Sequence, residues 1–376
     1  MEQNELHPAY LWHNGGLKRW EDATAHLTDH WWAAVGAVFE GIRGYWNPTD
    51  RRTYVFRLDE HLARLANSMR LVRMSPDERF TPAELKRAVV DLIGANGWEG
   101  DVYIMPLAYS IGGGSFSMAD VRTTNVFITS RPTTSMLGQS HSVRAGFSSW
   151  TRIGEREMPP RVKALANYRN SQLASQEARM NGYDSALLLN AQGKVTEGPG
   201  SCVFFVRDGR LFTPDLASGV LESITRDAVI RIARDLLGLV VEERSVDRTE
   251  AYLADEAFYC GTSAEVSPVS SIDGYEPKAG APGPITHAIR EMYHALVRGE
   301  PRLPRVAHAR RARRGKRAGC ERPGPTGSVG VTWRGEQRRR TRASGSNFRP
   351  KTIRLAHKQL RLDPAAQLVP RPTERR

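Results

Sequence analysis

Only three cysteines, Cys202, Cys260 and Cys320, occur in the 376 residues. Their spacing holds neither a disulfide framework nor the paired CxxC ligands of a structural zinc site, so no metal is expected and a reducing compartment is. Long apolar runs are missing too. None approaches the roughly 18 residues that a membrane-spanning helix needs, and no membrane association is expected. The opening MEQNELHPAYLWHNGG lacks a basic start followed by an apolar stretch, so no secretory signal is expected and the predicted location is cytoplasmic. Aromatic residues are nearly absent from residues 301–376, which have Trp333 and Phe348 alone.

What is abundant is positive charge, and it is unevenly placed. The formal net charge is +13, yet residues 301–376 carry 22 Lys and Arg against 4 Asp and Glu, leaving 32 basic and 37 acidic residues before them. The body is mildly acidic and the basic character belongs to the tail. That tail, with ARRARRGKRAG and EQRRRTRASGSNFRP, has no sustained helical or strand period and too little apolar content to offset its ordering entropy, so disorder is expected. Binding to nucleic acid is open only through this segment, by phosphate charge; with so few stacking aromatics, a weakly constrained extension is the simpler reading.

The body alternates short strands and helices without the regular βαβ order of a doubly wound sheet, which predicts an α+β fold. YLWHNGGLKRW reads as a hairpin turning at Asn14-Gly15-Gly16. RTYVFRL reads as a strand feeding a helix capped by Asp59, and TPAELKRAVVDLIGANG as a helix starting at Thr81. DVYIMPLAYSIG and TTNVFITSR are further strands. Beyond the loop PTTSMLGQSHS come the helix NSQLASQEARMNG, a strand SALLLNAQG, a strand running from Lys194 through KVTEGPGSCVFFVRDG, and the helix ITRDAVIRIARDLLG. The predicted division is a small α/β domain at 1–131, an interdomain loop at 132–144, a larger α+β domain at 145–299 and the tail at 300–376.

Within RVKALANYRNSQ (161–172), Lys163 has no acidic neighbour in sequence and Tyr168 follows it five residues later. Most lysines are solvated surface groups, so this one needs company before it suggests chemistry. Three other segments supply it. Ser223, Ile224 and Thr225 stand at a helix N-terminus, where free N–H groups favour a phosphate, although Ser223 is equally a plain cap. Gly261, Thr262 and Ser263 end a strand with small residues that let backbone donors approach a ligand, or simply make a turn. Glu197 precedes a Gly-Pro-Gly bend, where a solvated glutamate is also ordinary. Together with Lys163 and Tyr168 they match the needs of a pyridoxal phosphate site: an amine, a phenol, a carboxylate and a phosphate cup.

The ordered motifs VFEGIRGY (38–45), VFRLDEHLARL (55–65), YIMPL (103–107), KALANYRNSQLASQEA (163–178), GYDSALLLNAQGKVTEGPGS (182–201), ITRDAVI (224–230) and ADEAFYCGTSAEVSPV (254–269) resemble those of the branched-chain amino acid aminotransferases. These are fold-type IV, class-IV pyridoxal phosphate-dependent aminotransferases. The resemblance runs from about Tyr10 to Glu300 and implies a two-domain fold-type IV architecture, pyridoxal 5'-phosphate as cofactor, amino acid and 2-oxo acid substrates, and a homodimer or higher homo-oligomer. It implies that Lys163 forms the Schiff base and moves the α-proton, with Lys194 its only rival nearby. Tyr168 matches the partner of the cofactor's phenolic oxygen and Glu197 that of its pyridine nitrogen. Arg57, Ser223, Ile224, Thr225 and Thr262 match phosphate binders. Phe39, Tyr103, Thr262 and Ser263 match the substrate site, the last two through backbone N–H groups.

Several positions depart from the family pattern. AAVGA replaces HYGTS and puts Ala34 where a tyrosine is usual; YIMP replaces YIRP and puts Met105 where an arginine receives a distal carboxylate; Met136 falls where tyrosine is common. Ser201-Cys202 replaces Glu-Asn, and Ser223 replaces a glycine. Loss of polar groups from one side of the pocket predicts that glutamate is a weaker amino donor than an apolar amino acid. The expected activity is transamination of a hydrophobic, branched-chain-like amino acid with a 2-oxo acid. Alternatives of the same fold are an amine or D-amino acid transaminase and an amino-chorismate lyase. From another class comes a non-catalytic scaffold with a nucleic-acid-binding tail.

Overall fold

A computed structural model describes residues 7–25, 35–74, 78–111, 123–300 and 367–368. Ala34, Cys320 and the tail apart from Gln367–Leu368 lie outside the described residues, and so do the expectations placed on them. The first sheet begins with a hairpin, β1 (Tyr10–His13) and β2 (Gly16–Arg19). Its turn is Asn14-Gly15, both at positive φ, the conformation a two-residue hairpin loop demands. There follow β3 (Val38–Phe39), β4 (Ile42–Asn47), β5 (Arg52–Val55), helices α1 (Leu58–Leu71) and α2 (Pro82–Asn96), then β6 (Val102–Ile111) and β7 (Thr123–Pro132).

These strands lie in the order β5-β4-β6-β7-β1-β2, with β3 also paired to β6. Alternation along β6 and β7 turns Val102, Ile104, Val126 and Ile128 into a core with Leu58, Leu62, Leu65, Val89 and Leu92 of the two helices. Tyr103, Met105 and Leu107 point to the opposite face by the same period. Helix α2 starts as expected: the Thr81 hydroxyl accepts the N–H of Glu84, Pro82 occupies the first turn, and Gly97 closes the helix at φ 61°. Helix α1 does not. Asp59 lies inside its first turn, and the residue before the helix is Arg57, left-handed at φ 50° and capping nothing with its side chain.

The second sheet contains β8 (Val143–Thr151), then, after helix α3 (Asn167–Met180), β9 (Ser185–Leu189), β10 (Cys202–Arg207) and β11 (Arg210–Thr213). Helix α4 (Ile224–Arg231) passes into a π-helical turn at Ile232–Leu236. After it come β12 (Val241–Glu243), the short helix α5 (Arg248–Tyr252), β13 (Glu256–Gly261), β14 (Glu265–Ile272) and helix α6 (Pro284–Val297). The order is β12-β11-β10-β13-β14-β8-β9, a mixed sheet in which β11·β12, β14·β8 and β8·β9 are parallel. The fold is α+β.

Two differences from the sequence reading matter for function. The strand expected from Lys194 onward is broken: Lys194 and Val195 make isolated bridges, and regular pairing resumes only at Cys202. The intervening bend brings Glu197 into the interior. Helix α6 was not anticipated, although Pro284 at its start and buried Thr286, Ile289, Tyr293 and Val297 carry a helical period. A two-residue strand β15 (Gln367–Leu368) adds to the edge of the first sheet against Tyr54–Val55. Among the described residues no helix is long and apolar enough to cross a membrane.

Candidate active site

Lys163 sits in a short segment stitched to β3. The N–H of Phe39 donates to the Lys163 carbonyl (3.0 Å), that of Leu165 to the Ala37 carbonyl (2.9 Å), and that of Lys163 itself to the Ser68 hydroxyl (3.2 Å). From the other side, the buried Asn167 amide donates to the carbonyls of Pro159 (3.2 Å) and Val162 (2.9 Å). The lysine backbone is thus fixed while its side chain projects into a cavity. There its Nζ donates to the Tyr168 hydroxyl at 2.5 Å and lies 4.8 Å from the centroid of the Phe39 ring. The rival, Lys194, is on the surface and paired with Asp247 at 2.5 Å.

Glu197 faces the same cavity and is 5 % exposed. One carboxylate oxygen pairs with the Arg152 guanidinium at 2.6 Å; the other accepts the N–H of Leu221 at 3.2 Å and lies 3.8 Å from the Cys202 sulfur. Arg152 is itself buried, and its Nε finds no partner. Burial, aided by the Glu197 charge, pushes the Cys202 thiol up to about 12, so this cysteine fills the site as a neutral group.

At the far end, Ser223 and Ile224 line the cavity at the N-terminus of α4, and the Ser223 hydroxyl caps the helix by accepting the Arg226 N–H. Arg64 lines the same end; Arg57 does not. The Arg57 guanidinium is held by Glu60 (2.7 Å), Asp227 (2.6 Å) and the Ile224 carbonyl (3.1 Å), which places it at the N-terminus of α4 but outside the cavity lining. Thr225 is buried but does not line the cavity either.

Arg64 is oriented from behind. Glu40, fully buried, accepts from its Nε (2.7 Å) and from a terminal nitrogen (2.8 Å), while His61 bonds the same carboxylate at 2.7 Å. The remaining terminal nitrogen of Arg64 donates to the Glu222 carbonyl at 2.7 Å. Burial is the largest single influence on the Glu40 carboxyl and pushes it up, but Arg64 and His61 outweigh it and hold it at about 2. Burial likewise lowers His61, against the pull of Glu40.

On the remaining wall are Phe39, Tyr103, Thr262 and Ser263. Tyr103 reaches the cavity across Gly41: a Cβ at that glycine would stand 1.9 Å from the tyrosine hydroxyl. Met105 is not on the wall. It packs beside Ala37, Phe39, Leu107 and Tyr168, behind the lining residues Phe39 and Tyr168. Arg131, directly opposite Tyr103 in the β6·β7 register, lays its guanidinium 5.4 Å from the Tyr103 ring centroid.

Arg64, Arg152, Glu40 and Asn167 were missed in the sequence. One signal for Arg64 was available: His61, Arg64 and Ser68 form a polar stripe at helical spacing along the otherwise apolar buried face of α1.

Between two mixed α+β lobes, a lysine, a phenol, a paired carboxylate and a helix N-terminus thus meet in one cavity. Comparison with known proteins agrees. A family model described as amino-transferase class IV matches residues 37–272. The chain is 38 % identical over 296 residues to the branched-chain-amino-acid aminotransferase of Escherichia coli (strain K12), covering 77 % of this chain and 94 % of that one. The crystal structure of a branched-chain amino acid aminotransferase from Thermobaculum terrenum, in its PLP-form, superposes with a TM-score of 0.76 at 62 % identity over 78 % of this chain and 95 % of the other. The branched-chain aminotransferase of the archaeon Thermoproteus uzoniensis, crystallised with norvaline, gives 0.72 at 40 % identity, over 78 % and 96 %. The chain belongs to the class IV aminotransferase family.

Proposed function

We propose that the protein is a pyridoxal 5'-phosphate-dependent aminotransferase that moves the amino group between a hydrophobic, branched-chain-like amino acid and a 2-oxo acid. The observation that carries this reading is the Lys163 amine, 2.5 Å from the Tyr168 hydroxyl, in the cavity that also contains Glu197 paired to Arg152. The donor set suits the cofactor in three respects. A lysine amine stands free of any carboxylate partner among the described residues. A buried carboxylate has its second oxygen secured by a backbone N–H. An arginine and a helix N-terminus converge at the opposite end.

Lys163 and Tyr168 would hold the carbonyl end of pyridoxal phosphate, Glu197 its ring nitrogen, and Arg64, Ser223, Ile224 and Thr262 its phosphate. When bound, it supplies a carbonyl for amine exchange and a sink for the electrons of the α-carbon. Lys163 Nζ, once free, is the base that takes the α-proton and returns it, and the Tyr168 hydroxyl keeps that amine aimed. Arg152 fixes the Glu197 carboxylate so that its charge stays in place through the cycle. The backbone donors of the 262–264 turn orient the substrate carboxylate, and the Phe39 and Tyr103 rings give the side chain an apolar wall.

Apolar donors are favoured over glutamate, because among the described residues no arginine lines the wall on which Phe39 and Tyr103 lie. We place the enzyme in the cytoplasm as a homodimer, which light scattering on the purified protein tests. The functional test is a single-turnover panel of L-leucine, L-isoleucine, L-valine, L-glutamate, D-alanine and a primary amine, followed by cofactor absorbance. The branched-chain L-amino acids should react fastest. Faster turnover of D-alanine or of the amine would replace this reading with another activity of the same fold.

A further inference from the structure

Behind the turn that carries Thr262 and Ser263 lie two buried charged side chains that take no part in the chemistry described above. Arg43, on β4, is 4 % exposed and lines no part of the cavity. Its Nε donates to the Thr262 carbonyl at 3.2 Å, one terminal nitrogen to the Ser263 carbonyl at 3.4 Å and the other to the Thr134 carbonyl at 3.1 Å. That last nitrogen lies 3.6 Å from the carboxylate of Glu265, which is fully buried. Glu265 in turn accepts the Ser135 hydroxyl at 2.8 Å and the Met136 N–H at 2.6 Å. Its backbone is left-handed at φ 52°, a conformation that a non-glycine residue holds at a cost and that tends to persist where a site requires it.

We infer that Arg43 and Glu265 are positioning residues that aim the 262–264 turn at the substrate's α-carboxylate and lock it to the 134–136 loop. This rests on the aminotransferase reading above. The physical reason lies in the peptide unit. In a trans peptide the C=O and N–H point in opposite directions, so drawing the Thr262 and Ser263 carbonyls onto one guanidinium turns the N–H groups of Ser263 and Ala264 away from Arg43, toward the side on which Thr262 and Ser263 face the cavity. A cation at the carbonyl end also polarises the same peptides and strengthens their donors. The guanidinium fork is what lets one side chain hold three carbonyls at once, and a lysine lacks it. Glu265 neutralises that guanidinium and, through Ser135 and Met136, brings the interdomain loop into the same fixture.

The test uses holoenzyme of wild type, Arg43→Lys and Glu265→Gln, the first keeping the charge and the second the shape. Two quantities are read: the dissociation constant of L-leucine in the half-reaction, and that of 4-methylpentanoate, which has the leucine chain and a carboxylate but no amine, from its perturbation of cofactor absorbance. Arg43→Lys should raise both constants about tenfold, the effect of misaligning one or two charge-assisted donors. The limiting rate and the cofactor's own affinity should stay within about threefold of wild type. Glu265→Gln should move the same constants in the same direction by a smaller factor. Unchanged constants for both ligands, or a loss of cofactor affinity that accounts for the whole effect, would overturn the inference. If Arg43→Lys does not fold, Glu265→Gln carries the same measurement alone. If the wild type transaminates nothing, the proposed function fails, while 4-methylpentanoate binding still reports on the turn.

Discussion

The two sides of the cavity are built on different principles. Around Glu197 and Arg64 the protein uses charges withdrawn from water and tied to each other: Arg152 to Glu197, Glu40 to both His61 and Arg64. Around Phe39 and Tyr103 it uses neutral rings and peptide groups. Buried charge is costly unless fully paired, and it holds a geometry strictly once paired. A wall of rings adjusts to different side chains at little cost, while the 262–264 turn beside it is held from behind by Arg43. The division suits an enzyme whose cofactor is constant and whose substrate alternates between an amino acid and a 2-oxo acid.

The comparison breaks first at Arg152. Arg152→Met leaves Glu197 buried without its counter-charge, and should cost about 3 kcal/mol of folding stability. It should also slow the half-reaction on the order of 100-fold. A denaturant melt and single-turnover kinetics read the two, and Arg152→Lys should recover part of each. Next comes the pair of arginines in VFRLDEHLARL. Arg64→Ala should weaken cofactor binding by roughly 100-fold, as expected for losing a charge-assisted anion contact, whereas Arg57→Ala, which removes only partly exposed ion pairs, should change it by no more than about threefold. Equal effects in a cofactor titration would mean that Arg64 is no phosphate ligand.

Glu40 gives the pH dependence. Its carboxyl is held near 2, below its ordinary 4.5, so its contribution is fully present above the unfolded value and is lost as pH falls from there toward 2. Glu40→Gln should therefore be less stable than wild type by about 2 kcal/mol above pH 5, with the gap narrowing steadily in acid. A gap that is constant with pH would show that the Glu40 charge is not what stabilises Arg64. The smallest effect belongs to the substrate wall. Gly41→Ala places a methyl group where the Tyr103 hydroxyl stands and forces that ring aside. The constant for leucine should rise by no more than about tenfold while cofactor affinity is unchanged.

The same division explains what could be read from the sequence. Lys163, Tyr168 and Glu197 were legible because each sits in a short motif whose local order specifies it, and Thr81, Gly97 and the Asn14-Gly15 turn follow local backbone rules. Arg152 was not, since its partner lies 45 positions away and the two meet only because both flank the end of β9, Arg152 bonding Leu189 and Glu197 bonding Leu188. Arg64 was missed, and Asp59 was a misleading cap: the left-handed Arg57 starts the helix two residues earlier and turns its own side chain toward Glu60 and Asp227. Met105 alternates to the same face of β6 as Tyr103, but packs with Phe39 and Leu107 and does not line the cavity. The break at 196–201 could not be seen from β propensity, because the residues on either side of Gly-Pro-Gly read as one strand.

The chemistry as a whole depends on Lys163 being the lysine that carries the cofactor. Borohydride reduction of the purified holoenzyme followed by peptide mapping measures this directly. The cofactor should be found on Lys163, and Lys163→Ala should lose at least about 10⁴-fold in turnover while Lys194→Ala stays near wild type. Cofactor fixed at Lys194, or full turnover by Lys163→Ala, would contradict the assignment.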